Sequence, residues 1–149
     1  MKQVFRALVI AGASIGAISP ALAGDTKVMM PIAAAMANTD AQIKLGDSVK
    51  FYFANQPTPA VLEKLGSDHT SQKTNAVGKS HEKACNWVFL SDMLSLHRRA
   101  KELGANAVIN ITSNYDNVEF ASATEFECHV GMLMAGVAFK ADFVKLADK

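Results

Sequence analysis

The sequence predicts a small α+β domain in which one long helix packs on a mainly antiparallel sheet. Residues 48–55, "SVKFYFAN", alternate apolar and polar side chains, as a half-buried strand does. Residues 80–103 place apolar side chains every three or four positions, which is the period of a helix. Residues 105–111 and 125–144 alternate again, so further strands follow the helix.

The first 23 residues have the three parts of a secretory signal peptide. The start is basic, residues 7–18 form an apolar run, and residues 21–23 (Ala-Leu-Ala) are a small-x-small cleavage pattern. The run is too short to span a membrane, although a buried N-terminal helix is an alternative interpretation. We expect cleavage after Ala23 and a periplasmic or secreted location, and the absence of a cysteine just after that point predicts no lipid anchor.

The charge and hydropathy of the processed chain exclude several classes of partner. The full chain has 15 basic residues. Lys2 and Arg6 are removed with the leader, which leaves 13 basic against 14 acidic residues in the processed chain. No cluster of positive charge marks a nucleic-acid surface, and the balance argues against strong binding to anionic lipid. No second apolar stretch of about 20 residues is present, so no membrane span is predicted.

Residues 24–47 are an extension ahead of the first clear strand, and their Ala- and Met-rich pattern allows two interpretations. One is a short strand over residues 28–30 followed, after Pro31, by a helix over residues 32–44. The other is a loosely docked arm. The predicted organisation is therefore an N-terminal arm or short helix over 24–47 and a single α+β domain over 48–149.

The segment between the first strand and the helix has weak signals. Pro57 and Pro59 break the chain after the strand at 48–55. Short strands are predicted near residues 61–65 and 71–75, because their apolar pieces are separated by Gly, Ser, Asp and Thr.

The long helix has a clear beginning and end. Ser80 is the expected N-cap, and Gly104 is the expected left-handed residue just past the C-terminus. A break near Ser91-Asp92 is left open. The predicted core-facing stripe comprises Cys85, Phe89, Met93, Leu96, Ala100 and Leu103.

Two alternating segments follow the helix. Ala105, Ala107, Ile109 and Ile111 are predicted to share one face of a strand, with the small alanines close beneath the helix. A polar connection over residues 113–124 leads to a last strand from residue 125 to about 144. Because this strand is long, Gly131 and Gly136 are expected to mark a bulge or bend in it, with Met132 and Met134 continuing the apolar face of Phe126, Cys128 and Val130.

The two cysteines occupy positions that could meet in the core. Cys85 lies on the apolar stripe of the helix, and Cys128 lies on the apolar face of the last strand. In an exported protein, two cysteines predict one disulfide, which on the chain-entropy model stabilises by about 4 kcal/mol. Two free buried thiols are the alternative. No Cys-x-x-Cys is present, so the prediction is a structural bridge.

The runs "RAKELGANAVINI" and "ECHVGMLMAGVAF" resemble the YbjQ-type domain over the C-terminal half of the chain. The resemblance implies a compact β-α-β-β domain that readily self-associates, and such domains are sometimes described as binding heavy metals. The Rcs envelope-stress sensor lipoproteins are similar over the same segment, and Cys85 and Cys128 match a bridged pair in them, although this chain lacks their anchor cysteine and second disulfide.

The motifs "KTNA", "ANAVINI" and "SATEFEC" also resemble a group of small exported bacterial proteins. Members are often described as a subunit of the excinuclease ATPase. This chain has no Gly-x-x-x-x-Gly-Lys-Ser/Thr phosphate loop and no zinc-type cysteine set, so the sequence predicts no ATPase.

Two chemical alternatives rest on particular residues. Met29, Met30 and Met36 could hold a soft metal such as copper, although packing is the commoner role of methionine. Ser67, Asp68 and His69 contain the residue types of a small hydrolase, although adjacent loop residues do not form a triad and are more simply a turn.

The function predicted by elimination and resemblance is a non-enzymatic periplasmic or secreted module for binding, sensing or assembly in the cell envelope. Its expected partner is an envelope protein or a second copy, with the loops at 66–79 and 113–124 as natural contact surfaces. No catalytic, cofactor or metal residue is predicted.

Overall fold

The computed structural model describes residues 24–148, and the predictions about the leader and its cleavage lie outside these residues. The α+β class is confirmed, with one long helix packed on a curled mixed sheet of six strands. A short 3₁₀ turn covers Tyr115–Asn117. The elements are β1 (Thr26–Pro31), α1 (Ile32–Ala37), α2 (Thr39–Leu45), β2 (Lys50–Phe53), β3 (Val61–Asn75), α3 (His81–Leu103), β4 (Ala107–Ser113), β5 (Glu125–Val130) and β6 (Met134–Leu146). Over residues 24–148, no helix combines the length and the hydropathy needed to cross a membrane.

Strand β6 is the central strand of the sheet and pairs with three others. It pairs antiparallel with β3 from Met134 to Leu146, and also with β5 near Gly136 and with β4 beyond it. Because a strand has only two edges, β4 and β5 share the edge opposite β3. β1 pairs antiparallel with β5, and β2 pairs parallel with β4, so the sheet over residues 24–148 is mainly antiparallel.

Helix α3 begins and ends at the predicted capping residues, Ser80 and Gly104. The Ser80 hydroxyl accepts from the Lys83 N–H at 3.1 Å, and Gly104 is left-handed with φ of 72°. The helix is continuous through Ser91 and Asp92. It packs across β3 and β6, so its apolar stripe covers one face of the sheet, which we call the front face.

The front face carries the main core. Four phenylalanine rings form its centre, with centroids between 4.5 and 6.3 Å apart, and they come from β2, α3, β5 and β6: Phe53, Phe89, Phe126 and Phe139. The structure joins Cys85 of α3 to Cys128 of β5 in a disulfide, with 5.9 Å between the Cα atoms. Both cysteines are fully buried, so the bridge ties the helix to the sheet inside the core.

Residues 24–47 follow the strand-and-helix interpretation and are built into the domain. β1 pairs along its whole length with β5, and Met30, Ile32 and Leu45 belong to the core. The predicted helix is interrupted at Asn38, whose ψ of 135° ends α1 and whose side chain accepts from the Asp40 N–H at 3.0 Å to cap α2. Burial of this many apolar groups does not fit a loosely docked arm.

The predicted pair of short strands before α3 is wrong, because β3 runs unbroken from Val61 to Asn75. Gly66 and its polar neighbours read as a loop, yet they hydrogen-bond along β6 with register shifts between Val61 and Glu63 and between Lys64 and Gly66. Ser67, Asp68 and His69 are therefore strand residues and not a turn. A long antiparallel ladder overrides weak local strand propensity.

The predicted single bent strand after residue 125 is also wrong, since β5 and β6 form a hairpin. The Gly131 N–H donates to the Met134 carbonyl at 2.8 Å and closes a turn over residues 131–133. Met132 and Met134 consequently do not continue the buried face; both are exposed. Gly136 lies within β6, where a Cβ atom would be 3.0 Å from the Tyr115 ring, so close packing explains this glycine.

Strand β4 changes face at a bulge that its alternation did not reveal. Asn110 has φ of 52°, and the register with β6 shifts between Ile109 and Thr112. Val108 and Ile111 face the main core, whereas Ala107 and Ile109 pack behind the sheet with Val144 and Leu146. The prediction that Ala107 and Ile109 lie beneath the helix is therefore wrong.

Asn106, just before β4, ties together the ends of two elements. Its side-chain amide donates to the Leu146 carbonyl at 3.0 Å, and its side-chain oxygen accepts from the Leu146 N–H at 2.7 Å. The side chain of Asn106 thus extends the hydrogen bonding between β4 and β6 by one residue ahead of β4.

Candidate functional site

The back face of the sheet, which is the face away from α3, contains an open depression of about 1100 Å³ that is lined by polar side chains and alanines. We call it the back-face depression. Strands β3, β4 and β6 form its floor, and the connection at 113–124 and the residues just after β2 form its rim. Its polar side chains include Ser67, His69, Asn110, Thr112, Asn117, Glu119, Lys140 and Asp142.

Asp142 is the best-held carboxylate of the depression. Its two oxygens accept from the Ser67 hydroxyl at 2.5 Å and from the Asn110 side-chain amide at 2.8 Å, and Lys64 Nζ lies 3.2 Å away. Partial burial alone would raise the pKa of Asp142, but these donors outweigh it and lower the pKa below its usual range. The side chain is therefore a fixed anion at neutral pH.

A second ion pair crosses the depression from β6 to the connection. Lys140 Nζ bonds to Glu119 Oε2, and the Thr112 hydroxyl donates to Glu119 Oε1 at 3.1 Å. The bond from Lys140 is the main reason that the pKa of Glu119 lies below its ordinary value. Glu119 is thus also an anion with both oxygens engaged.

The backbone around the depression is unusual. Four non-glycine residues among the described ones have positive φ, and three of them, Ala54, Asn110 and Asn117, line the depression. Asparagine tolerates this conformation, whereas alanine gains nothing from it locally. Such conformations persist only where the surrounding structure holds them, and they concentrate at functional sites.

A stacked pair of rings lies on the same face beside the β5–β6 hairpin. The Tyr115 and His129 rings are parallel within 4°, with centroids 3.7 Å apart. His129 Nε2 contacts Glu127 Oε1, whose other oxygen lies 3.6 Å from Lys27 Nζ. The Tyr115 hydroxyl donates to Asp25 at 3.1 Å, and burial, together with this aspartate, raises the pKa of Tyr115 to about 12.

Asp92 is a titratable group inside the front face. It has no exposed surface, it accepts from the Thr70 hydroxyl at 2.8 Å, and its other oxygen, Oδ2, has no hydrogen-bond partner. Burial raises the pKa of Asp92 to about 8, and the bond from Thr70 only partly opposes that shift. Asp92 therefore lies on the buried side of α3, among the apolar residues of its core-facing stripe.

The structure separates the methionines of the soft-metal alternative. Met29 and Met30 are successive in β1 and so point to opposite faces of the sheet, and Met30 and Met36 pack in or against the core. In the described part of the chain, no group of three or more His, Cys, Asp or Glu side chains is arranged to hold a metal. Ser67 and His69 share the back face, but the Ser67 hydroxyl bonds to Asp142.

The sequence anticipated the rim of the depression and part of its floor, because Ser67 and His69 lie within the predicted contact surface at 66–79, but it missed the parts of the floor on β4 and β6. The connection at 113–124 was predicted as a contact surface, and it supplies Asn117, Glu119 and Ser122. Asn110, Lys140 and Asp142 were not singled out. A usable signal was present in "FKADF", residues 139–143, where charged side chains alternate with aromatic and small ones.

No protein-family model matches this chain, and no curated protein and no solved structure is significantly similar to it.

Proposed function

We propose that this protein is a non-enzymatic binding module of the bacterial cell envelope, periplasmic or secreted, that receives a polar protein partner in the back-face depression. The observation that carries the proposal is the depression itself: an open concave surface whose polar side chains are held by mutual hydrogen bonds. Held side chains lose little freedom when a partner docks on them, which favours recognition.

The shape and chemistry of the depression favour a protein over a small molecule. Small-molecule sites are mostly apolar and enclose most of the ligand surface. The back-face depression is wide and open, and about half of its lining comes from amide, hydroxyl and charged groups, which are typical of the polar parts of protein interfaces. We therefore place a loop or strand of a partner protein there.

The charge state of the depression favours binding over proton transfer. A general base works best with a pKa near the operating pH, whereas the pKa values of Asp142 and Glu119 are both lowered. Ser67 also donates to a carboxylate, Asp142, and not to a histidine that would activate it. These features support recognition as the role of the site.

The proposed cellular location of the protein rests on features outside the back-face depression. The leader pattern of residues 1–23 indicates export, and a buried disulfide suits an oxidising compartment. The resemblance of the C-terminal half to YbjQ-type domains and to the Rcs sensor lipoproteins supports an envelope role. Fractionation of the source bacterium with mass spectrometry of the N-terminus should find the processed chain, starting at Gly24, outside the cytoplasm.

The binding proposal can be tested by photo-cross-linking in exporting cells. Ala121 lines the depression, is exposed and is suited to carry the photoreactive residue, and Arg98 on the outward side of α3 is the matched control position. We expect a defined protein adduct from position 121 and none from position 98. The purified partner should then bind the wild-type protein, and Ala121→Arg should weaken that binding about tenfold or more in calorimetry.

Equal adducts from both positions, or partner binding that Ala121→Arg leaves unchanged, would contradict the proposal. Turnover of a substrate by the purified protein, abolished by Ser67→Ala, would favour the hydrolase alternative. Stoichiometric copper that is lost when Met29, Met30 and Met36 are all replaced would favour the metal alternative.

A further inference from the structure

The β5–β6 hairpin ends in a group of exposed apolar side chains, which we call the apolar tip. Met132 and Leu133 are 82% and 63% exposed, and Met134 and Val77 are also largely exposed. Val77 belongs to the same group, because the Ala76 N–H donates to the Leu133 carbonyl at 2.8 Å. Four large apolar side chains clustered in water are unusual and mark a surface that is covered in use.

The N-terminal end of the domain emerges at the same place. Thr26 pairs with Val130 at the foot of the hairpin, and a Cβ atom on Gly131 would lie 2.7 Å from the Asp25 carboxylate. The first described residues of the chain therefore lie beside the apolar tip.

Three exposed lysines lie on the elements next to the apolar tip, in β3, in the turn after it and at the start of α3. Lys73 lies opposite Gly136 in the ladder, Lys79 Nζ donates to the Asn75 carbonyl at 2.6 Å, and Lys83 is in the first turn of α3. Within residues 24–148, none of these three lysines forms an ion pair. Among the acidic residues near this end, Asp25 is engaged by Tyr115, and Glu82 is exposed.

We propose that the apolar tip docks on the surface of a lipid bilayer, with Met132, Leu133 and Val77 at the level of the headgroups and the lysines beside lipid phosphates. Apolar side chains gain by leaving water at this depth, and lysine stems can extend toward the phosphates. The near-zero net charge of the chain argues against strong attraction to anionic lipid, so the proposed docking rests on the apolar contact and on the lysines close to the surface, where screening is least.

This orientation leaves the back-face depression available to a partner at the membrane surface, but the docking itself does not depend on such a partner. The experiment therefore uses lipid alone. Vesicles of phosphatidylethanolamine and phosphatidylglycerol are mixed with the protein recovered from the cell envelope, and co-flotation is measured at low and at moderate salt. Pure phosphatidylcholine vesicles separate the apolar contribution from the attraction to anionic headgroups.

The ladder of β3 with β6 provides a matched control. Leu62 is 70% exposed, as Leu133 is at 63%, but it lies at the opposite end of the ladder, where Val61 pairs with Leu146. We expect Leu133→Gln to reduce partition onto the anionic vesicles about tenfold, whereas Leu62→Gln should leave it unchanged. Lys73→Gln should reduce binding to the anionic vesicles and its salt dependence.

Three results would overturn the proposal. One is a wild-type protein that floats with neither kind of vesicle. Another is an equal loss of flotation in Leu62→Gln and Leu133→Gln. The third is concentration-dependent dimerisation, detected by sedimentation, that Leu133→Gln abolishes while vesicle binding is absent, because this would assign the tip to a second copy of the chain.

Discussion

The two faces of β6 differ in how they accommodate titratable side chains. On the front face, Phe139 and Phe143 pack beneath α3, and the carboxyl group of Asp92, which is buried there, has an oxygen without a hydrogen-bond partner. On the back face, Lys140 and Asp142 come from the same strand, and each is held by an opposite charge. The front face therefore favours a neutral acid, whereas the back face retains charged groups in fixed positions.

The comparison teaches that one strand can serve stability and recognition at the same time, because alternate residues face opposite sides of the sheet. Substitutions on the front face should therefore change the free energy of unfolding, and substitutions on the back face should mainly change binding.

The largest expected effect is on packing at the front face. Phe139→Ala should lower the free energy of unfolding by about 3–5 kcal/mol, because it removes a buried ring from the phenylalanine cluster. The neighbouring Lys140→Ala should change it by less than about 1 kcal/mol, since its ion pair is partly exposed. Urea unfolding of the two variants measures the difference, and similar losses in both would refute the assignment of the two faces.

The disulfide is the second largest contribution to the front face. Replacing Cys85 and Cys128 with alanine should lower the free energy of unfolding by about 2–4 kcal/mol, because the bridge closes a loop with a sequence separation of 43 residues. The reduced wild-type protein should unfold at nearly the same urea concentration as this double variant. Alkylation of both cysteines in unreduced envelope material would show that the bridge does not form in the cell.

Asp92 provides the third test through its dependence on pH. Its folded-state pKa of about 8 is above the ordinary value of 3.8, so the folded protein binds the proton more tightly than the unfolded chain. Stability should therefore fall as pH rises between these values, by about 1.4 kcal/mol per pH unit. Asp92→Asn keeps an acceptor for Thr70 and should remove this slope. Unfolding measured between pH 5 and 8 would exclude the assignment if both proteins lost stability in parallel.

The smallest effect is expected at Asp142 on the back face, and its sign is opposite. The pKa of Asp142 is lowered, so the stability it contributes is present at neutral pH and is lost as pH falls below about 4. Asp142→Asn should cost about 1 kcal/mol at pH 7, because Ser67 and Lys64 lose a charged acceptor that is partly exposed. The acid part of the unfolding profile should become shallower, and a change on the alkaline side instead would contradict the assignment.

Prediction from the sequence succeeded where the deciding interactions are local. Ser80 and Gly104 fix the ends of α3 through bonds to residues within four positions, so the helix bounds were predictable. The positions of Cys85 and Cys128 on apolar faces were also readable, because alternation and helical period are properties of short windows. The disulfide distance between them depends on how helix and strand pack.

Prediction failed where a pairing between distant segments overrides the local signal. The polar residues around Ser67 read as a turn, and only the ladder with β6 makes them a strand. The bulge at Asn110 reverses which side chains of β4 face the helix, and asparagine is common in loops as well as at bulges. The assembly of the floor of the depression could not be predicted, because Ser67 and Asp142 are 75 positions apart.

The sequence by itself determined an α+β chain with one capped helix, several alternating strands, two cysteines on apolar faces and an export leader pattern. Each of these is recorded in a short run of residues whose spacing or caps act locally. Only the tertiary structure decided that β5 and β6 form a hairpin, that Asp92 is buried, and that polar groups from β3, β4 and β6 meet in one depression. These outcomes depend on burial and strand pairing across the whole chain, which no single window of the sequence contains.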